Sequence, residues 1–553
     1  MKKKVIVLLP YIIVLSFAFL AGFPLLKSGL PPTHDGEYHI IRFYEFDKVL
    51  RDGNIYPRFA PDLNNKMGVP LFNYVYPLPN YAASFLHFFG VSFINAFKYQ
   101  MFIASLAGGI FFYLFTKKIW GVLGGITGSV FYTFSPYHFV DIYVRGSVGE
   151  VWALAFFPAF LWSITIFIKE KNIFYGLFSS IFLALLIFSH NILGLMFFMF
   201  AIFYVAFLIF QSKDKKNLIL STLSLILIGL GLSSIFWIPA LLESKYVTGL
   251  QIYNVKDNFP ELYQLIFPSW GTGFSSSDLS NQISFQIGIA NLIAVFFSFF
   301  VAVKLAFKKD RRLYFVMFFL ISFFFTLFLL LKKSIFIWEA VPFMNYFQFP
   351  WRLLSLLILI SSFISASIFS IIKSKIFACL LIFLGVSLTI GYTKPAYYHQ
   401  REDNYYTTKS NFIDGTNSVG NYFNTIWFNN KLKKQGKLEL EKNEIILEQI
   451  TSQNYKFILS LDKAKSVTLN TVYFPGWTVF INGEKRKISN TKDGRISFSV
   501  SAGKSIVELR FLDTATRNTA KFISILSLFI LLALFFKNSN RFILKKLYVR
   551  IKR

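Results

Sequence analysis

The sequence predicts a mostly helical, multi-pass membrane protein that carries a small antiparallel β domain near its C-terminal end. Of 553 residues, 55% are hydrophobic and only 15% are charged, and 71 are phenylalanine. The mean hydropathy of +0.52 exceeds what a soluble globular surface tolerates, since such domains carry about 25% charged residues. Between residues 392 and 518 the sequence becomes polar and then alternates as strands do.

Apolar runs near the ~20 residues that cross a bilayer predict about twelve transmembrane helices. They lie at 5–26, 98–116, 119–135, 151–168, 173–190, 192–210, 218–240, 284–303, 313–331, 352–372, 375–391 and 519–536. The lysine-rich start and the small residues Ala18 and Ala21 would also suit a cleaved signal peptide. The length of the first run favours a retained helix.

The basic residues of the short loops predict the orientation of the chain. If the lysines at 2–4 are cytoplasmic, alternate loops are basic too: Lys117/Lys118, Lys169/Lys171, Lys213/Lys215/Lys216, Lys308/Lys309/Arg311/Arg312, Lys373/Lys375 and the tail 545–553. Lys332/Lys333 are the exception. We therefore expect both termini in the cytoplasm. The net charge of +29 indicates this topology and contact with membrane lipids, and it does not indicate nucleic-acid binding because no basic patch or motif accompanies it.

The first outer loop, 27–97, begins with a candidate site. Two prolines end the first helix, and Thr33 or Asp35 can cap a new one. On that helix Asp35, His39 and Arg42 fall on one face at spacings of four and three. The stretch 55–79 is rich in proline and aromatic residues, which is typical of a loop at headgroup depth.

Further ionisable residues lie at predicted outer ends of helices. In the second outer loop Asp141, Arg145 and Glu150 are spaced four and five apart, so a bent helix could gather them into a site, or they could be solvated loop charges. His190 closes the fifth apolar run and serves either a function or an interhelical hydrogen bond. Arg352 opens the tenth run and either reaches toward headgroups or holds a phosphate.

The polar region divides the chain into 1–391, an outer β-rich domain within 392–518, and a last helix with a basic tail at 519–553. Strand alternation occurs at 467–473, 477–481, 496–500 and 506–511, with turn residues between the runs. Trp477 follows a Pro-Gly turn inside an alternating strand and is predicted to be core. Trp338 and Trp351 are expected at the membrane interface.

Several motifs resemble bacterial membrane glycosyltransferases of the GT-C superfamily. They are Thr33-His34-Asp35-Gly36-Glu37-Tyr38-His39, Tyr56-Pro57-Arg58, the segment from Ser135-Pro136-Tyr137-His138 to Glu150, Ser189-His190-Asn191 and Phe349-Pro350-Trp351-Arg352. The most similar branch is labelled "membrane protein, 6-pyruvoyl-tetrahydropterin synthase-related". The stretch 473–483 is similar to the tail of YfhO-type GT-C proteins.

The resemblance implies a hexosyl- or pentosyltransferase of the bacterial plasma membrane. It would move a sugar from a polyprenyl-phosphate carrier to an extracytoplasmic glycan, polymer or lipid. GT-C enzymes carry an acidic motif in the first outer loop, and Asp35-Gly36-Glu37 matches it as a D-x-E variant. We therefore expect Asp35 and Glu37 to be catalytic, with inversion at the anomeric carbon.

The remaining candidates are assigned to substrate or metal. Residues expected to bind phosphate or acceptor are Arg42, Asp141, Arg145, Glu150, His190 and Arg352. A divalent ion such as Mg²⁺ or Mn²⁺ could be held by Asp35, Glu37 and His39. A transporter or flippase is the main alternative, but the predicted helix cores contain few charges and no internal repeat is evident. A non-catalytic envelope-assembly protein is the third.

Overall fold

The computed structural model describes residues 2–249, 255–276, 278–408, 422–429 and 436–551, with side chains only between 7 and 539. Most of this chain is helical, and two antiparallel sheets lie near its C-terminal end. The predicted fold class is therefore confirmed. The side chains of the lysines at 2–4 and of the basic tail 545–553 lie outside the described residues.

The helices follow the apolar runs of the sequence. They are α1 (Lys2–Gly22), α2 (Gly36–Arg51), α3 (Leu63–Lys66), α4 (Leu78–Phe88), α5 (Phe93–Thr133), α6 (Pro136–Phe139), α7 (Val148–Glu170), α8 (Ile173–Ser189), α9 (Asn191–Phe210), α10 (Lys215–Leu232), α11 (Ser234–Leu242), α12 (Leu262–Ile266), α13 (Ile289–Phe307), α14 (Leu313–Leu330), α15 (Ile335–Ala340), α16 (Leu354–Ala366), α17 (Lys375–Ser387), α18 (Asp403–Thr408) and α19 (Ala515–Ile551). Within the described ranges ten helices are long and apolar enough to cross a membrane.

The helix α5 is two antiparallel segments joined at Gly121. This glycine has φ +80°, a left-handed conformation that other residues rarely adopt. Across the turn the Ser129 hydroxyl donates to the Gly109 carbonyl at 2.7 Å, which a straight helix would place about 30 Å away. The predicted runs 98–116 and 119–135 thus correspond to two helical segments of the range Phe93–Thr133, which the turn at Gly121 separates. All twelve predicted runs overlap helices, and the number of crossings stays a prediction.

Basic loops and candidate site residues lie at opposite ends of the bundle. Lys118, at the turn of α5, pairs with Glu170 at the end of α7, and Lys171 pairs with Asp214 at 2.6 Å. Glu150, at the other end of α7, is twenty residues away, or about 30 Å along the helix. This separation agrees with the alternation of basic loops in the sequence. Which end faces the cytoplasm stays a prediction.

Thiol labelling of intact cells tests this orientation. The free thiol of Cys379 is exposed, so the background is Cys379→Ala. In that background we expect Ile55→Cys and Lys485→Cys, on the first loop and the β domain, to react with an impermeant maleimide. Lys213→Cys, between α9 and α10, should react only after the cells are permeabilised. The opposite pattern of labelling would invert the topology.

The β domain consists of eight strands, all within 392–518. They are β1 (Ile445–Ile450), β2 (Asn454–Leu461), β3 (Lys465–Val472), β4 (Trp477–Ile481), β5 (Glu484–Arg486), β6 (Ser489–Asn490), β7 (Arg495–Val500) and β8 (Gly503–Phe511). A five-stranded sheet has the order β1-β2-β8-β4-β5, and a three-stranded sheet has the order β3-β7-β6. The strands predicted from alternation are β3, β4, β7 and β8. The domain boundaries themselves stay a prediction.

Trp477 lies in the core of the β domain, as predicted, and only 5% of it is exposed. Its ring stacks on Tyr455 at 5.1 Å and meets Phe59 of the first outer loop edge-on at 5.5 Å. The β domain and the first loop therefore share one hydrophobic core. This core holds the first loop in place beside the helix ends.

We expect Trp477→Ala to destabilise the β domain by about 3–5 kcal/mol, the usual cost of truncating a buried aromatic side chain. Protease sensitivity of the domain in native membranes measures the effect. Phe480→Ala is the matched control because that side chain is half-buried on the same strand. A Trp477→Ala protein that resists protease like the parent but loses glycan binding would make Trp477 a sugar platform instead.

Candidate active site

The two predicted outer loops are joined by backbone hydrogen bonds. Asp35 is the N-cap of α2, and its N–H donates to the Arg145 carbonyl at 2.9 Å, while the His34 N–H donates to Val144 at 3.0 Å. Val140–Arg145 forms a π-helical turn, a feature that is frequent at functional sites. The D-x-E motif is thereby fixed against the Asp141–Arg145 turn.

A glycine makes this close approach possible. Gly146 follows the π-helical turn with φ +65°, and a Cβ there would lie 2.3 Å from the Thr33 hydroxyl oxygen. Any larger residue would push the first loop away from the second. In the sequence, the only sign of this close approach is the glycine that follows Arg145. The sequence does not show that Thr33 is the residue that approaches it.

A buried ion cluster lies beneath the joined loops. Arg145 donates to Asp141 Oδ1 at 2.6 Å and to Glu150 Oε1 at 2.7 Å, and both carboxylates have no exposed surface. The predicted spacing of four and five therefore does bring these three residues together. Burial and the charge of Glu150 raise the pKa of Asp141 well above its usual range.

Arg352 completes the cluster from a distant part of the chain. Its Nε lies 3.3 Å from Glu150 Oε1, and its Nη1 donates to the Phe347 carbonyl and the Gln348 side chain. Both guanidinium groups contact the Trp351 ring, with Arg145 4.9 Å from its centroid. The Nη2 of Arg352 makes no hydrogen bond to any residue in the described part of the chain.

Tyr76 connects this cluster to the D-x-E motif. Its ring lies over His190 at 4.8 Å, and His190 Nε2 lies 3.8 Å from Glu150 Oε1. Burial raises the pKa of Tyr76, and the charges that act on its hydroxyl are those of Arg42, Asp35, Glu150 and Arg352. The charges of Asp35 and Arg42 on α2 thus contribute to the electrostatic environment of Tyr76.

The Asp35 carboxylate differs from the other acidic groups of the site. It is half-buried, and it forms no hydrogen bond or ion pair with any described residue, including the N–H groups of the helix that it caps. Asp141 and Glu150, by contrast, are both paired with Arg145. Among the described residues, Asp35 is thus the acidic group of the site whose carboxylate has no cation partner.

Glu37 is directed away from the buried cluster. Its Oε1 lies 3.7 Å from Arg401 Nη1, and about a third of each side chain is exposed. Such partly exposed pairs stabilise a structure by ~0–1 kcal/mol. Glu37 therefore lies at the rim of the site, facing the segment that follows α17.

The predicted metal set is not brought together. His39 is buried and stacks between Phe43 and Phe97 at 5.7 and 6.0 Å, and burial, then the charges of Arg42 and His190, lower its pKa well below the usual range. Among the described residues no group of three or more His, Cys, Asp or Glu side chains is arranged to hold a metal ion. Asp35, Glu37 and His39 thus do not fit a metal site as they stand.

His34 contacts a loop that follows α12. Its Nε2 lies 2.9 Å from the Thr272 carbonyl oxygen, and its ring lies 4.5 Å from Phe274. Burial lowers the pKa of His34, which favours the neutral ring. This side chain therefore fastens the 270–276 loop against the outside of the D-x-E motif.

Two residues expected at the membrane interface are buried within the protein. Only 1% of Trp338 and 3% of Trp351 is exposed, so neither ring is open to lipid, and the depth of these rings in the membrane stays a prediction. The Trp338 N–H donates to the Leu329 carbonyl at 3.1 Å, and the Trp351 ring packs against two guanidinium groups. An aromatic residue beside an arginine does not distinguish lipid headgroups from a buried cation partner, because both attract the ring.

The chain is 25% identical over 256 residues to an uncharacterized protein of Lactococcus lactis subsp. cremoris (strain MG1363), in an alignment that covers 45% of this chain and 41% of that protein. The chain thus spans less than half the length of this relative.

Two solved structures are also similar. One is the arabinofuranosyltransferase AftD from Mycobacteria, with a TM-score of 0.45, 13% identity, and coverage of 69% of this chain and 26% of that one. The other is the oligosaccharyltransferase of Archaeoglobus fulgidus, with a TM-score of 0.40, 12% identity, and coverage of 72% and 56%. The family model described as "6-pyruvoyl-tetrahydropterin synthase related domain; membrane protein" matches residues 72–398. Because that match spans more than half of the chain, the protein belongs to this family of membrane proteins.

Proposed function

We propose that the protein is a membrane glycosyltransferase that moves a sugar from a polyprenyl-phosphate carrier to a hydroxyl of an extracytoplasmic acceptor. The observation that carries this proposal is the unpaired, half-buried carboxylate of Asp35 beside a buried cluster with two guanidinium groups. A base and an anion-binding group that lie this close together suit the displacement of a phosphate from a sugar. The motif resemblance to GT-C enzymes points to the same chemistry.

In the proposed reaction Asp35 accepts the proton of the acceptor hydroxyl. The hydroxyl oxygen then forms a bond to the anomeric carbon while the bond from that carbon to the phosphate oxygen breaks. The polyprenyl phosphate leaves with the bonding electron pair, and the configuration at the anomeric carbon is inverted. The negative charge that grows on the phosphate is stabilised by cations placed beforehand.

Arg352 is the cation that the geometry favours for the phosphate. Its Nη2 is uncommitted among the described residues, and only 8% of the residue is exposed, so a bound phosphate would meet it with little competing water. Arg42 is the second candidate from α2. Arg145 is committed to Asp141 and Glu150, so its role is to position Arg352 and Glu150 rather than to hold substrate. We assign no step to a divalent ion.

The positions of the charges oppose a transporter. Glu150 is the third residue of α7, and Arg352 is the third of the candidate span Pro350–Ser370. Transporters usually bind substrate near the middle of the bilayer, at broken helices. Charges at helix ends are better suited to a lipid whose tail lies in the membrane and whose phosphate lies at its surface.

The test is sugar transfer by purified protein in liposomes that contain a radiolabelled polyprenyl-phosphate sugar and an envelope extract as acceptor. We expect label to move to the acceptor fraction. The rate of this transfer is measured with and without EDTA. Label that remains on the lipid, with every donor sugar tried, would contradict the proposed reaction. Release of free sugar without an acceptor would indicate a hydrolase.

A further inference from the structure

A pocket lies at the rim of the site, where Arg401 pairs with Glu37. Its volume is about 550 Å³, and it is lined by residues 26–29 after α1, by Ser92, Ile94, Asn95 and Tyr99 at the start of α5, and by residues 401–404. Arg401 belongs to the lining and also pairs with Glu37. The pocket is therefore linked to the D-x-E motif through the pair between Arg401 and Glu37.

The outer wall of this pocket is held firmly. Leu30 and His399 exchange two backbone hydrogen bonds of 2.9 and 2.8 Å. The Asp403 carboxylate accepts the N–H groups of Phe93 and Ile94 at 2.6 and 3.0 Å, and so occupies the end of α5. A preformed pocket with a fixed wall loses little entropy when a ligand binds.

The chemistry of the lining is suited to hydroxyl groups. The side chains of Asn95, Tyr99, Glu402 and Asn404 line the pocket, and their polar ends form no hydrogen bond with any residue that the structure describes. The two amides can each donate and accept, and the carboxylate accepts. The Tyr99 ring adds a flat apolar surface. A saccharide has hydroxyl groups that pair with such donors and acceptors, and its ring can pack against an aromatic side chain. The lining therefore matches the chemistry of a saccharide.

The charges of the pocket do not favour a phosphate headgroup. Lys27 and Arg401 are balanced by Glu402 and Asp403, and Arg401 is paired with Glu37. An anionic ligand needs excess positive charge or free backbone N–H groups, and Asp403 already occupies the N–H groups at the end of α5.

We propose that this pocket is a saccharide-binding subsite, which holds the glycan acceptor with its reactive hydroxyl directed past Glu37 toward Asp35. The assignment as an acceptor subsite rests on the proposed function, while saccharide binding does not. Because the pocket begins where α1 and α5 leave the apolar core, the acceptor glycan would lie at the membrane surface.

Direct binding tests this proposal without any need for transfer. The full-length protein in lipid nanodiscs is applied to an array of neutral oligosaccharides built from glucose, galactose, rhamnose and N-acetylglucosamine. We expect binding to at least one of these classes, weakened about tenfold or more in Asn95→Ala/Asn404→Ala because two hydrogen-bonding amides are lost. Asn443→Ala, an exposed asparagine of the β domain, is the matched control and should bind like the parent.

The outcomes of this experiment distinguish a failure of the proposed saccharide subsite from a failure of the proposed transfer reaction. No binding to any saccharide, or equal binding by parent and double variant, would overturn the subsite even if transfer occurs. Saccharide binding that depends on Asn95 and Asn404 would support it even if transfer is absent. Retention on phosphatidylglycerol vesicles that is lost in Lys27→Ala, without saccharide binding, would mark a lipid-headgroup site and overturn the proposal.

Discussion

Replacing Asp35 with Asn should lower the rate of sugar transfer by about 10²–10⁴-fold, the usual contribution of a general base, while the protein folds and inserts normally. Asparagine keeps the size of the side chain but cannot accept the proton of the acceptor hydroxyl. Folding should be spared because the carboxylate forms no ion pair or hydrogen bond with a described residue. Transfer from a labelled donor in liposomes measures the loss, with thermal unfolding in detergent as the check on folding.

Two controls make the Asp35 result specific. Asp462→Asn makes the same change at an exposed position of the β domain and should leave transfer unchanged. Glu37→Gln should lose less than Asp35→Asn because Glu37 lies at the rim and pairs with Arg401. Full transfer by Asp35→Asn would remove it as the base. Transfer that is indifferent to Asp35, Asp141 and Glu150 alike would end the glycosyltransferase proposal.

Arg145→Met should be the most destabilising single change in the site. It leaves Asp141 and Glu150 buried without their shared partner, and breaking a buried ion pair in this way costs about 3–5 kcal/mol. The stability of Arg145→Lys should fall between that of the parent and that of Arg145→Met. The reason is that an ammonium group cannot donate to both carboxylates in the planar geometry of a guanidinium. Yield in the membrane and thermal unfolding in detergent measure the effect.

The triple variant Asp141→Asn/Arg145→Met/Glu150→Gln provides the matching control. Removing the two carboxylates together with the cation should restore much of the lost stability, since neutral replacements avoid the desolvation of charges. An Arg145→Met protein that unfolds like the parent but transfers no sugar would contradict the structural role and place Arg145 on the substrate.

Local periodicity and spacing made the bundle and part of the site predictable from the sequence. Membrane helices need long apolar runs, so their positions could be read directly. Asp141, Arg145 and Glu150 are close in sequence, and one bent turn was enough to gather them. Even the two segments of α5 were separable, because Lys117/Lys118 interrupt the apolar pattern where Gly121 reverses the chain.

Contacts between distant segments could not be read in the same way. Tyr76 lies in a stretch of proline and aromatic residues that also suits a membrane interface, and its contact with His190 joins two segments that are far apart in the sequence. Arg352 likewise lies beside Glu150, although the two residues belong to different helices that are far apart in the sequence. Neither arrangement leaves a periodic signal.

Four strands of the β domain, β1, β2, β5 and β6, were not predicted, and of these β2 carried a signal in the sequence whereas β1 did not. In β2 the residues Tyr455, Phe457 and Leu459 alternate and are buried, so that strand was open to prediction. The edge strand β1 is exposed along nearly its whole length, and with no buried face it has no alternation to detect. Edge strands of this kind become visible only through their neighbours.

The most direct test of the proposed mechanism is a structure of the protein with a non-hydrolysable polyprenyl-phosphate sugar analogue bound. We expect the phosphate to contact the Arg352 guanidinium, the anomeric carbon to face the Asp35 carboxylate, and the lipid tail to lie along the membrane helices. A phosphate bound away from both Asp35 and Arg352, or an analogue held near the middle of the bilayer, would contradict the account.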